Sequence, residues 1–166
     1  IAAALLRHNA ALLVAREPSA EPVHALLASH WKPRKRGFAA LVRLALVVSA
    51  DHELNVSAFA ARVVASTGAH LHATACSGLA ALSGPRHGGA TARAFALIED
   101  AAHANQRDWL AARWERGDEL PGFGHALYPQ GDPRAAAILA QLEQSAPNAA
   151  AMKRLRLLIE AAEDVA

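Results

Sequence analysis

Residues 69–89 read Ala-His-Leu-His-Ala-Thr-Ala-Cys-Ser-Gly-Leu-Ala-Ala-Leu-Ser-Gly-Pro-Arg-His-Gly-Gly. The first fourteen positions have helical composition, with Ala73, Ser77, Gly78 and Ala81 at the spacing of one helix face. Small side chains there let a second helix approach closely. Gly84, Pro85, Gly88 and Gly89 then end the helix and hold His87 in a loop. An apolar, alanine-rich helix that stops at a glycine-flanked histidine sets the pattern for the whole chain.

The pattern extends in both directions. Helices are expected at residues 2–15, 20–29, 38–49, 56–66, 69–82, 90–104, 106–116, 133–145 and 149–165. The 38–49 helix is apolar enough to be expected buried. Gly68 is a good C-terminal stop. Asp132-Pro133 is a good start, because Asp caps and Pro suits the first helical position. Pro147-Asn148 marks a turn. Period-two alternation of a β-strand is not seen, so the expected class is all-α.

Composition agrees. Of 166 residues, 53% are hydrophobic and only 5% aromatic, so a core can be built largely from alanine and leucine. A formal charge of +2 does not call for nucleic acid. The basic run at residues 32–36 reads as a solvated loop, with Trp31 its only nearby stacking aromatic. The longest apolar run, 38–50, contains Arg43 and is too short to span a bilayer. Neither nucleic acid nor membrane is therefore expected as a partner. The single cysteine, Cys76, excludes an internal disulfide, suits a reducing cytoplasm and is expected to be inert in an apolar setting. The chain begins at Ile1 and ends within a helical pattern, as expected of a piece of a longer protein.

Chemistry gathers in the interruptions: Asp51-His52-Glu53, Gly84-Pro85-Arg86-His87-Gly88-Gly89, Pro121-Gly122-Phe123-Gly124-His125 and Asp132-Pro133-Arg134. Loop imidazoles and a guanidinium are the groups that bind and activate small acids and thioesters. His87 is expected beside a helix N-terminus, as a neutral ring able to donate one hydrogen bond to a carbonyl becoming an enolate. Its glycines would let a ligand approach the backbone. His52 would donate to substrate from a polar loop. Arg134, at the second helical position, can grip a carboxylate with a planar fork. The loop 121–124 can cradle a cofactor by its backbone or serve as an interdomain turn. Tyr128 is expected to pack. Metal binding is not expected: His52 and Glu53 lack the second histidine of a zinc helix, and His70 and His72 would face different ways on a helix. Ser57 and Ser83 show no patterned base, so a serine nucleophile is not expected.

Four strings together, 49–59, 84–90, 121–128 and 132–135, stand in the order and approximate spacing of the citrate synthase family, which the chain resembles from about residue 41 to 166. The resemblance implies a multi-helical homodimer, with residues 1–88 as the C-terminal portion of a large domain and 89–166 as a truncated small domain. It implies condensation of an acyl-CoA, usually acetyl-CoA, with oxaloacetate to give citrate and CoA in the tricarboxylic acid cycle. By resemblance, His87 donates to the thioester carbonyl as the enol forms, and His125 polarises the keto carbonyl. His52 and Arg134 bind oxaloacetate, and the backbone of Pro121, Gly122, Phe123 and Gly124 holds the adenine end of CoA. No tightly bound cofactor is implied; the CoA thioester is a substrate. Ala73, Ser77, Gly78 and Ala81 resemble the close-packed helices of the family's dimer interface.

Two departures stand out. The family's aspartate base lies in an Asn-Val-Asp or Asn-Ile-Asp motif beyond Asp-Pro-Arg, and Glu163-Asp164-Val165 is not that motif. The 166 residues alone are therefore expected to be inactive. Arg86 also stands where the family has an apolar residue. Two alternatives remain open: a 2-methylcitrate synthase using propionyl-CoA, and a non-catalytic relative that senses acyl-CoA or a dicarboxylate.

Overall fold

The computed structural model describes residues 1–32, 34–101, 105–125, 127–146 and 149–165. Among them are nine helices and no strand: α1 (Ala2–Leu13), α2 (Val23–Trp31), α3 (Phe38–Ser49), α4 (Val56–Ser66), α5 (Leu71–Leu82), α6 (Ala90–Ala101), α7 (Gln106–Glu115), α8 (Pro133–Ser145) and α9 (Ala150–Val165). The all-α expectation holds. The expected turn at Pro147-Asn148 and the expected end of α6 at residues 102–104 lie outside the described residues.

Local chemistry sets the helix starts. Asn55 caps α4, its Oδ1 accepting from the Ala58 amide at 2.8 Å. His70 caps α5, its Nδ1 accepting from the Ala73 amide at 3.3 Å, which moves the start to Leu71. Asp132 caps α8 with Pro133 at the first position. Pro22 delays α2 to Val23, because the residue before a proline avoids helical dihedrals. Gly68, at φ +79°, stops α4.

The chain forms two compact units. Unit 1, residues 1–51 and 131–147, contains α1, α2, α3 and α8. Its core is Ala10, Ala11, Val14, Leu26, Leu27, Ala28 and Val42. The buried-helix expectation for α3 is corrected: only Val42 of that helix is buried, and Val47 is 59% exposed. An apolar run reports what a helix can bury, not whether neighbours cover it.

Unit 2, residues 52–130 and 148–166, contains the other five helices. Helices α6, α7 and α9 enclose Ala101, Leu110, Leu158, Ala161 and Ala162. Leu120 and Phe123 pack against the same cluster, so the loop before His125 is anchored by apolar side chains. Helices α4 and α5 pack together through the small-residue face. A Cβ on Gly78 would meet the Ala61 Cβ and the Ser57 carbonyl oxygen, each at 3.5 Å. No described helix is long and apolar enough to cross a membrane.

Candidate active site

The His87 loop is a tight knot. His87 and Gly89 amides both donate to the Gly84 carbonyl, at 3.0 and 3.1 Å, and the Ala90 amide donates to His87 at 2.9 Å. The glycines have a structural cause. A Cβ on Gly88 would lie 2.5 Å from the Leu82 carbonyl oxygen, and one on Gly89 would lie 2.9 Å from the Gly84 carbonyl oxygen. The expectation that they open the backbone to a ligand is corrected: the chain itself fills that space.

His87 is half-buried, and its Nε2 lies 3.0 Å from Ser57 Oγ. Ser57 Oγ also lies 2.9 Å from Asn55 Oδ1. The hydroxyl has one proton for two acceptors. Turned to Asn55, it leaves Nε2 to carry the ring proton and makes Nδ1 an acceptor. Turned to Nε2, it places the proton of a neutral ring on Nδ1, which then donates. Only the second state activates a carbonyl from Nδ1. Ser57 thus has the histidine partner that its local sequence did not reveal. The Ser57 hydroxyl bridges the Asn55 and His87 side chains.

His125 is exposed, and its proton placement is simpler. Nδ1 accepts from the Leu127 amide at 3.2 Å, so the Nε2 of a neutral ring carries the proton and donates. The Tyr128 ring lies at 5.0 Å between centroids, which fits the packing role expected of it. Gly122 and Gly124 take φ +95° and +73°, left-handed conformations that favour glycine. The Phe123 side chain is partly buried against the α6, α7 and α9 core.

His52 is exposed, and its Nδ1 donates to the neighbouring Glu53 carbonyl at 2.8 Å. A carbonyl only accepts, so the Nδ1 proton is assigned, and Nε2 donates only when the ring carries both protons. Glu53 adopts φ +49°, a strained value for a residue with a side chain.

Arg134 lies in unit 1, at the start of α8. Its fork is already engaged. Nε and Nη2 donate to Asp132 Oδ1 and Oδ2 at 2.9 and 2.6 Å, and Nη1 donates to the Asp51 carbonyl at 2.9 Å. The pair is three-quarters buried, so an internal carboxylate occupies the position sketched for a substrate.

The readings of Cys76 and of the His70–His72 pair need correction. Cys76 is exposed rather than set among apolar groups. The His70 and His72 rings meet edge to face at 5.9 Å, because His70 is a cap outside the helical periodicity. Arg86 is exposed.

The helical architecture is that of a known class of synthase. The crystal structure of citrate synthase from Thermotoga maritima MSB8 superposes with a TM-score of 0.73, covering 96% of this chain and 46% of that one at 22% identity. That comparison defines the fold. The family description "Citrate synthase, C-terminal domain" matches residues 1–166, and the chain belongs to the citrate synthase family. Among similar proteins, 2-methylcitrate synthase of Shewanella oneidensis is 40% identical over 116 residues, 69% of this chain and 31% of that protein. Citrate synthase of Haloferax volcanii is 38% identical over 112 residues, 66% of this chain and 30% of that protein. The chain spans less than a third of the length of these relatives.

Proposed function

We propose that this chain is the part of a citrate synthase-like acyltransferase that activates both carbonyl groups of the reaction. The substrates are an acyl-CoA, acetyl-CoA first, and oxaloacetate; the products are citrate and CoA. His87 donates from Nδ1 to the thioester oxygen while a carboxylate base of the full-length protein, outside these 166 residues, takes the proton of the α-carbon. The enol carbon then attacks the keto carbon of oxaloacetate, and His125 Nε2–H donates to the oxygen that gains charge there. A thioester α-carbon is a very weak acid, so a donor placed at the developing oxyanion is what the step requires. Hydrolysis of the resulting thioester releases the CoA thiol. None of the four assigned side chains is the carbon base.

His52 and Arg134 hold the oxaloacetate carboxylates. The backbone of residues 121–124 holds the adenine end of CoA, consistent with its two left-handed glycines. CoA enters as a substrate, with no tightly bound cofactor. Residues 1–88 belong to the large domain and 89–166 to the small domain of a cytoplasmic homodimer serving the tricarboxylic acid cycle. The observation that supports this reading most is the 3.0 Å contact between His87 Nε2 and Ser57, which fixes the orientation of the imidazole and leaves Nδ1 as the nitrogen facing a substrate oxygen once the Ser57 hydroxyl turns to Nε2.

The test is thiol release by the full-length protein that carries this chain, with oxaloacetate and either acetyl-CoA or propionyl-CoA. Faster release with acetyl-CoA is expected. Faster release with propionyl-CoA would make it a 2-methylcitrate synthase; one methylene typically shifts such a preference by roughly ten- to two-hundredfold. Oxaloacetate binding without thiol release from either thioester would identify a sensor and end the enzyme reading.

A further inference from the structure

Arg93 stands in the first turn of α6, and its guanidinium joins two loops of unit 2. Nη2 donates to the Pro85 carbonyl at 3.0 Å, two residues before His87. Nη1 donates to Glu119 Oε2 at 2.6 Å, two residues before Pro121. The next residue of α6 supports the same loop: a Cβ on Gly122 would lie 3.1 Å from the Ala94 Cβ. Leu120 and Phe123 hold the loop to the core. The loop bearing His87 and the loop leading to His125 are thus tied through one rigid planar cation.

We propose that Arg93 is a positioning residue that couples the two loops, so that coenzyme A on residues 121–124 steadies the loop that carries His87. The inference rests on the CoA assignment proposed above. The guanidinium is suited to this because its donors are fixed in one plane. A shift of the Glu119 carboxylate turns the whole fork and changes its angle to the Pro85 carbonyl. A lysine ammonium, a point charge on a flexible stem, would not transmit the turn. The ion pair is well exposed, with the side chains 45% and 77% accessible, so it contributes little to stability. Its consequence is geometric.

Amide hydrogen exchange on the full-length protein, with and without coenzyme A, tests the coupling. The His87, Gly89 and Ala90 amides report on one loop and the Phe123 amide on the other, each being hydrogen-bonded within its loop. In the wild type, coenzyme A should slow exchange in both loops by about tenfold, the scale of one hydrogen bond. In Arg93→Met only Phe123 should slow. Glu119→Gln keeps an acceptor and should retain the coupling, whereas Glu119→Ala should lose it; that pair carries the test if Arg93→Met does not fold. Slowing of both loops in Arg93→Met or Glu119→Ala overturns the coupling and leaves the CoA site standing. No slowing in either loop of the wild type overturns the CoA assignment and the coupling with it.

Discussion

The loops at 84–89 and 117–131 both carry glycines and an assigned histidine, yet they use glycine for opposite reasons. At Gly88 and Gly89 there is no room: an added Cβ would collide with backbone atoms at 2.5 and 2.9 Å. At Gly117, Gly124 and Gly131, unlike Gly122 beside Ala94, an added Cβ would meet nothing within 4 Å, and the dihedral alone demands glycine. The histidines differ in parallel. His87 is half-buried and answers to a side-chain hydroxyl that can turn, whereas His125 is exposed and answers to a fixed backbone amide. The first loop is packed, with one movable proton; the second is open, with its proton placed.

The largest expected effect tests the packed loop's function. If the proposed activity holds, His87→Ala in the full-length protein should lower kcat about a hundredfold or more, the scale of one lost oxyanion donor. Near-normal turnover in steady-state thiol release would remove His87 from the chemistry. Gly88→Ala should destabilise the protein by about 1–3 kcal/mol, as overpacking does, measured as a shift in the denaturation midpoint. Gly88→Asn should do no better, because the obstacle is space.

Ser57→Ala should reduce kcat about tenfold, the value of one hydrogen bond that orients a ring. An unchanged rate would mean that the bridge through Ser57 does not set the tautomer. Gly124→Ala should produce the smallest change, about 1–2 kcal/mol of left-handed strain. Here Gly124→Asn should recover part of that loss, since asparagine tolerates the conformation. Equal responses at 88 and 124 to the Asn variants would erase the contrast between the two loops.

What the sequence revealed follows the range of the interactions. The helices and their ends were legible because caps and breakers act over a few residues: Asn55 on Ala58, Asp132 on Arg134, Gly68 after α4. The histidine loops were legible for the same reason. Ser57 to His87 spans 30 residues and Arg93 to Glu119 spans 26, so neither pair leaves a local signal. The exposure of Val47 and Cys76 likewise depends on where other helices lie. Arg134 looks like an open fork in the sequence because Asp132 beside it already has a role as a cap; the carboxylate does both, accepting from the Arg134 amide and from its side chain.

That double use ties up the Nε–Nη2 edge of the guanidinium, so an acid that seeks that edge meets a carboxylate already in place. Asp132 acts as an incumbent that keeps the cation aligned when no visitor is near. At that edge a newcomer would have to outcompete a carboxylate tethered two residues away.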